Sequence, residues 1–280
     1  MSFGPNPWHQ KSWDARAAGN FIGGGAGTGL IVAAAWGAPA GMTLTVMLIA
    51  ALALVGFGLL CVWLEIGRPL RAVNVFINPR TSWMSREAFV GLFLFPVGAV
   101  TAFLSPGWLP ATVVLALAFL YCQSRMLPAA RGIPAWRESW TGVLIASTGL
   151  AEGFALWVAA TPWHGVRSAA MLGVFALLVL ARQIVWFVYR SRLKGRIVRK
   201  ADEALAGAGR WLLVLGTIVP LFIVVVLLTS PAEWRVGPFE VAAGVLAWGA
   251  GAWLKFVLVT RAAFNQGFSL QRLPVRGVRA

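Results

Sequence analysis

The stretch LEIGRPLRAVNVFINPRTSWMSREAF, Leu64 to Phe89, is a polar, arginine-bearing connector set between two long apolar runs. A helix needs about 20 apolar residues to cross a hydrocarbon core of about 30 Å. A connector bounded on both sides by such runs marks a chain that crosses a membrane and turns back. Two carboxylates, Glu65 and Glu87, stand at its ends, where the apolar runs stop and start.

Outward from this stretch the same alternation continues. The 280 residues are 59% hydrophobic and 12% charged, with a mean hydropathy of +0.77. A soluble domain carries about twice that charged fraction, so the composition describes a polytopic membrane protein. The apolar runs predict about eight transmembrane helices, at about 16–36, 41–64, 85–104, 109–126, 139–160, 166–189, 211–228 and 239–264. The expected fold is all-α, a single transmembrane domain over residues 1–280. The opening MSFGPNPWHQKSWD shows no basic n-region, apolar run and cleavage site in sequence, so no removable signal peptide is expected.

A net charge of +15 would suggest nucleic-acid binding in a soluble domain, but here the basic residues sit in connectors. All but two of the 24 fall in the two tails and in alternate connectors; only Arg167 and Arg235 fall in the others. This asymmetry places the basic face and both termini in the cytoplasm, and it requires an even number of helices. The count includes Arg182 and Lys255, read as lying at the cytoplasmic ends of their helices. Many of the 15 tryptophans, such as Trp36, Trp63, Trp108, Trp163 and Trp211, lie near predicted helix ends, where indole anchors the headgroup boundary.

Several chemistries are excluded. Two cysteines, Cys61 and Cys122, fall short of the four thiolates of an iron–sulfur cluster and read as buried free thiols. His9 and His164 are predicted on opposite faces, so they cannot share a haem iron. No catalytic residue and no metal site is expected in this chain. The segment GNFIGGGAGTG, Gly19 to Gly29, fits neither phosphate-binding motif. Its small residues repeat at four-residue spacing, as Gly19, Gly23 and Gly27 and again as Gly25 and Gly29, which suits close helix packing.

The ionisable candidates are few. Glu152 lies well inside the fifth apolar run, and such groups mark functional sites or interhelical pairs. It supports the alternative reading, a secondary transporter with an intramembrane Glu152 site. Lys255 and Arg261 approach a helix end and are expected to snorkel. Ser85 is a candidate cap for the third helix, with Glu87 in its first turn favoured by the helix dipole. Glu65, at a helix carboxyl end, opposes the dipole and calls for a cation, for which Arg68 is the nearest in sequence. Quinone chemistry moves two protons with two electrons and needs groups that exchange protons with water. Glu65, Glu87, Arg68, Arg86 and Arg125, at the membrane boundary, suit such a site, while Arg71, Arg80, Arg131 and Arg137 suit a docking face for a redox partner. Trp83 and Trp136 are possible stacking platforms, though the anchor reading is preferred.

E-I-G-R-P-L-R-A-V-N at Glu65 to Asn74 and S-W-M-S-R-E at Ser82 to Glu87 resemble the dimethyl sulfoxide reductase membrane-anchor family. Arg125, I-P-A-W-R-E-S-W-T at Ile133 to Thr141 and T-R-A-A-F at Thr260 to Phe264 extend the resemblance. It implies a haem-free, eight-helix anchor subunit in the bacterial inner (cytoplasmic) membrane. Such an anchor exchanges electrons with menaquinone or ubiquinone. Its partners are an iron–sulfur electron-transfer subunit and a molybdopterin catalytic subunit. By the same resemblance, Glu87 matches an acid implicated in quinol binding. Glu65 falls where the dimethyl sulfoxide reductase members have a histidine. A cytoplasmic docking face is closer to the sulfite-oxidising and phenylacetyl-CoA-oxidising members.

Overall fold

The computed structural model describes residues 7–65, 69–229 and 237–267, with side chains from residue 72 onward in the middle segment. Among the described residues there is no strand, and eight helices are long and apolar enough to span a membrane. They run Ala15–Gly37, Met42–Glu65, Trp83–Phe103, Pro106–Ala129, Thr141–His164, Ala169–Leu193, Arg199–Thr229 and Gly237–Arg261, and are called first to eighth below. The protein is thus an all-α, multi-pass membrane protein, as its hydropathy predicts.

The seventh helix departs most from expectation. It starts at Arg199 instead of near Trp211, so Arg199, Lys200 and Arg210 lie on helix and not in a loop. Ala201, Leu205, Ala208 and Leu212, spaced three or four residues apart, bury one face of this extension, and the basic residues stay exposed on the other.

The helices form two groups. The first four pack on one another, as do the last four, and the first and fifth helices join the groups. Glycine makes that junction possible. A Cβ on Gly23 would stand 2.6 Å from the Leu54 carbonyl oxygen, and one on Gly27 would stand 2.5 Å from that of Ala51. These residues let the second helix in. On the adjacent ridge Gly25 and Gly29 meet Gly149 and Gly153 of the fifth helix, where a Cβ on Gly153 would overlap the Gly29 backbone. The two four-residue repeats read from sequence are therefore two seams, each serving a different neighbour.

Both described ends of the chain lie on one face. The Gln10 amide donates to the Ala263 carbonyl (3.0 Å), and His9 bridges to Phe264. The same face carries the Pro69–Ile77 3₁₀ helix of the opening connector. Trp36, Trp63, Trp108 and Trp163 are exposed near helix ends, as anchors should be; Trp211 is also exposed but lies within the extended seventh helix, and Trp234 lies outside the described residues. Cys61 and Cys122 are both free thiols.

Gly153→Ala should destabilise the purified protein by about 1–3 kcal/mol, because backbone and not a flexible side chain must yield. Gly173→Ala, which meets open space, should change little. Thermal unfolding in detergent compares the two, and equal midpoints would contradict the seam.

Candidate functional site

Ser82, not Ser85, caps the third helix, its hydroxyl accepting the Ser85 amide at 3.3 Å. The helix thus begins at Trp83, and Glu87 lies past the first turn, so the helix-end explanation for this acid falls away. Glu87 instead points into the protein and is 3% exposed. Asn20 Nδ2 of the first helix donates to its two oxygens at 3.3 and 3.4 Å, and Gln123 Nε2 of the fourth donates to one at 3.3 Å. Gln123 also donates to the Asn20 carbonyl at 2.9 Å, which ties the three helices together. Among the described residues no Lys or Arg forms an ion pair with Glu87. Neutral amides can hydrogen-bond a carboxyl group in either protonation state, whereas a salt bridge would hold it charged.

Sequence reasoning missed Asn20 and Gln123. The available signal was a carboxamide inside an apolar span, a group that rarely sits there without a partner.

Two adjoining cavities lie beneath the connector. One of about 250 Å³ is lined by Trp63, Val73, Phe76, Met84, Glu87 and Ala88. The other, about 230 Å³, is lined by Trp13, Asn20, Phe21, Glu65, Met84 and Met126. Val62 and Met84 wall both, so Glu65 and Glu87 open on neighbouring compartments of one cleft. A third cavity, beside Arg167 and Glu240 at the opposite end of the bundle, holds only about 30 Å³, enough for a water molecule or two but no ring.

Among the described residues the cation near Glu65 is Arg16, which lies beside Asp14. Arg68 lies outside the described residues. Arg16 also donates to the Leu64 carbonyl (2.7 Å), placing positive charge where the second helix ends. It chelates Asp14 at 2.8 Å, and that hydrogen bond holds the Asp14 carboxyl below its usual range.

The arginines assigned with the two acids go elsewhere. Arg86 donates to the carbonyls of Pro79 (2.8 Å) and Arg80 (2.6 Å), and its guanidinium lies 4.2 Å over the Trp83 ring. Arg125 lies 5.5 Å from the same ring centre. Both therefore form a rim around Trp83 and make no bond to Glu87. Trp136 is buried, with its N–H on the Leu258 carbonyl (2.8 Å), and is a packed core residue, not an open platform. Arg80, Arg131 and Arg137 are exposed on the connector face, with Arg137 reaching Gln266 at 2.6 Å; the Arg71 side chain lies outside the described part.

Deeper in the bundle sits a second polar cluster. Lys255 does not snorkel: it is 1% exposed and its Nζ contacts Glu152 Oε2 at 2.6 Å and the Phe21 carbonyl at 2.8 Å. The position of Gly25 explains this route, since a Cβ there would occupy the space of the Lys255 ammonium. Arg182, counted with the cytoplasmic connector by charge pattern, is also fully buried. Its guanidinium donates to the carbonyls of Ala247 (2.9 Å) and Gly216. Gly216 lies in a π turn, Val214–Ile218, just before Pro220. Proline has no N–H for the carbonyl one turn back, so Arg182 supplies the missing donor. Arg182 and Lys255 are thus interior cations and do not add to the basic face. Glu152 gains the interhelical ion pair that was its ordinary reading.

Arg182→Met should cost about 1–3 kcal/mol in thermal unfolding, from buried carbonyls left without a donor. Adding Pro220→Ala should recover part of the loss by restoring an N–H. Unchanged stability in the single variant would contradict the stapling role.

His9 and His164 lie at opposite ends of the bundle, on the Thr260 carbonyl and against Trp157 (ring centres 4.3 Å apart) respectively. Among the described residues no three His, Cys, Asp or Glu side chains cluster as metal ligands would.

Comparison with known proteins agrees with this architecture. Residues 28–235 match the family described as DMSO reductase anchor subunit (DmsC). Over 138 residues the chain is 30% identical to the C subunit of anaerobic dimethyl sulfoxide reductase from Escherichia coli (strain K12), covering 46% of this chain and 48% of that one. The chain therefore spans about half the length of this curated relative. With more than half of its length matched, the chain belongs to the DMSO reductase anchor subunit family.

Proposed function

We propose that the chain is the quinone-reactive anchor of a molybdopterin/iron–sulfur oxidoreductase, seated in a bacterial inner membrane. The observation that carries this reading is Glu87, a buried acid with no counter-ion among the described residues, lining an apolar cavity beneath the connector. Quinol gives up two protons and two electrons on becoming quinone, and quinone takes them up in the reverse reaction. A quinone ring fits the cleft between Glu87 and Glu65, with the isoprenoid tail leaving past the exposed Phe57 and Leu60 toward lipid. Glu87 exchanges one proton with the ring oxygen nearest it, and Asn20 and Gln123 hold its carboxyl in place through the exchange. Glu65, nearer the surface and beside Arg16, passes protons to water.

Electrons leave or arrive through the connector face. Arg80, Arg131 and Arg137, with Arg71 in the same connector as Arg80, present positive charge to an iron–sulfur subunit, which links the site to the molybdopterin subunit. Arg86 and Arg125, stacked on Trp83, stiffen the rim between cleft and partner. The excess of basic residues on this face supports a cytoplasmic orientation for it. That favours a cytoplasmic substrate for the assembled enzyme.

Two experiments test the proposal. Glu87→Gln keeps the shape and both amide contacts but removes the titratable group. It should lower quinone-linked turnover of the complex about 100-fold or more, while dye-linked oxidation by the partner subunits persists. Loss of assembly instead would make Glu87 structural. Arg131→Cys should react with an impermeant maleimide in inverted but not in right-side-out vesicles; the opposite pattern would reverse the orientation.

A further inference from the structure

The Glu87 site is not isolated from the ion pair deeper in the membrane. Gln123 stands between them, 0% exposed. Its amide nitrogen is on Glu87, while its Oε1 has no hydrogen-bond partner among the described residues. That oxygen lies 3.5 Å from where a Gly25 Cβ would be, the same point that the Lys255 ammonium crowds. Glu152 Oε1 is likewise unpartnered, although Oε2 is bound to Lys255. Two orphaned acceptors thus flank the Lys255 ammonium, one on the Glu87 side and one on the Glu152 carboxyl. Buried acceptors of this kind are where internal water binds, and such water carries protons between acids.

The charges surrounding the pair can be named helix by helix. From the eighth comes Lys255 and from the sixth Arg182, whose Nη1 lies 3.0 Å from the Cβ position at Gly251; Glu152 Oε1 lies 2.7 Å from that same position. The first and fourth helices present only the neutral Asn20, Thr28 and Gln123 at this level, and the seventh presents Thr217, bonded to Gln183 (3.1 Å). Arg16 and Arg137 belong to the connector face, and Glu240 pairs with Arg167 at the opposite end. Among the described residues the interior between these faces therefore holds two cations, Lys255 and Arg182, and two acids, Glu152 and Glu87. A proton received from quinol makes one of the two acids neutral. Moving it from one acid to the other leaves the summed charge unchanged.

We propose that Glu152 is a proton reservoir for the quinone site, sharing one proton with Glu87 along the Gln123 side of the first helix. This rests on the cleft being the quinone site. The step is an acid–base exchange: the Glu87 carboxyl gives its proton through water to the Glu152 carboxylate, and Glu87 becomes a carboxylate ready for the second proton of the quinol. Quinone reduction runs the exchange backwards. Glu152 lies about 16 Å along the fifth helix from its connector-face end, at 1.5 Å per residue, close to mid-membrane. On the Arg182 side Gln183 accepts from Thr217 while its Nε2 has no partner among the described residues; on the Glu87 side the unpartnered acceptor is Gln123 Oε1.

The test uses the whole complex cycled with menadiol, read by redox-induced infrared difference spectra in the protonated-carboxyl region and by turnover against pH. Two carboxyl signals are expected, one lost in Glu87→Gln and the other in Glu152→Gln. Glu152→Gln should also slow menadiol-linked turnover about tenfold and alter its pH profile while the partner subunits still co-purify. Gln123→Leu should abolish the Glu152 signal, while that of Glu87 persists at a shifted frequency because one of its hydrogen bonds is lost. Identical spectra and pH profile in Glu152→Gln and the parent would overturn the reservoir and leave Glu152 as the partner of Lys255. If Glu152→Gln fails to assemble, Glu152→Gln with Lys255→Met removes both charges together and is judged by the same readout. Unaltered turnover and spectra in Glu87→Gln would instead remove the quinone site itself, whatever Glu152 does.

Discussion

The near-contact of glycine backbones between the first and fifth helices is the constraint on which the rest depends. Gly25 and Gly29 face Gly149 and Gly153 with no room for a methyl group. That seam joins the two four-helix groups, and it brings the Phe21 carbonyl and Glu152 within reach of the same lysine. Any residue that held these helices farther apart would break the Lys255 contacts and open the wall behind Glu87. Lipid offers no hydrophobic drive for helices to associate, so close backbone approach and hydrogen bonding must supply it.

Buried charge is handled in three ways. At the end opposite the connector, Glu240 is matched by a half-exposed Arg167 at 3.1 Å, which water can still screen. In the middle, Lys255 and Glu152 neutralise one another, and Arg182 is absorbed by carbonyls that a proline and a π turn leave short of a donor. Leaving one member of such a pair alone in a low-dielectric interior is costly, so these contacts are firm parts of the fold. Glu87 is the exception, held by two amides and open on a cavity. An acid so placed is held by neutral donors instead of a fixed charge, which is why the proposed proton exchange is assigned to it and not to the paired groups.

Much of this was legible in advance. The eight spans, the even count and the glycine seams follow from run length, charge asymmetry and four-residue spacing, which are local or one-dimensional properties. Glu65 and Glu87 stand out in the sequence as the two acids at the ends of the connector, and the structure lines adjoining cavities with them. The misreadings share a cause. Lys255 and Arg182 were placed by their distance along the chain from a helix end, yet whether a long side chain turns to water or to the interior depends on its neighbours. Ser85 lost the cap to Ser82 because helix starts shift by a residue or two, and that shift turned Glu87 from the helix end to the core.

By itself the sequence determined that this chain is a helical, multi-pass membrane protein with its basic connectors on one face. The free energy of placing apolar or charged residues in a bilayer depends mainly on composition and run length. Only the tertiary structure decided which polar groups meet. Asn20, Glu87 and Gln123 come from three helices, as do Lys255, Glu152 and Phe21. Their contact depends on helix rotation and separation, set by the glycine seams, and no spacing within one helix encodes it.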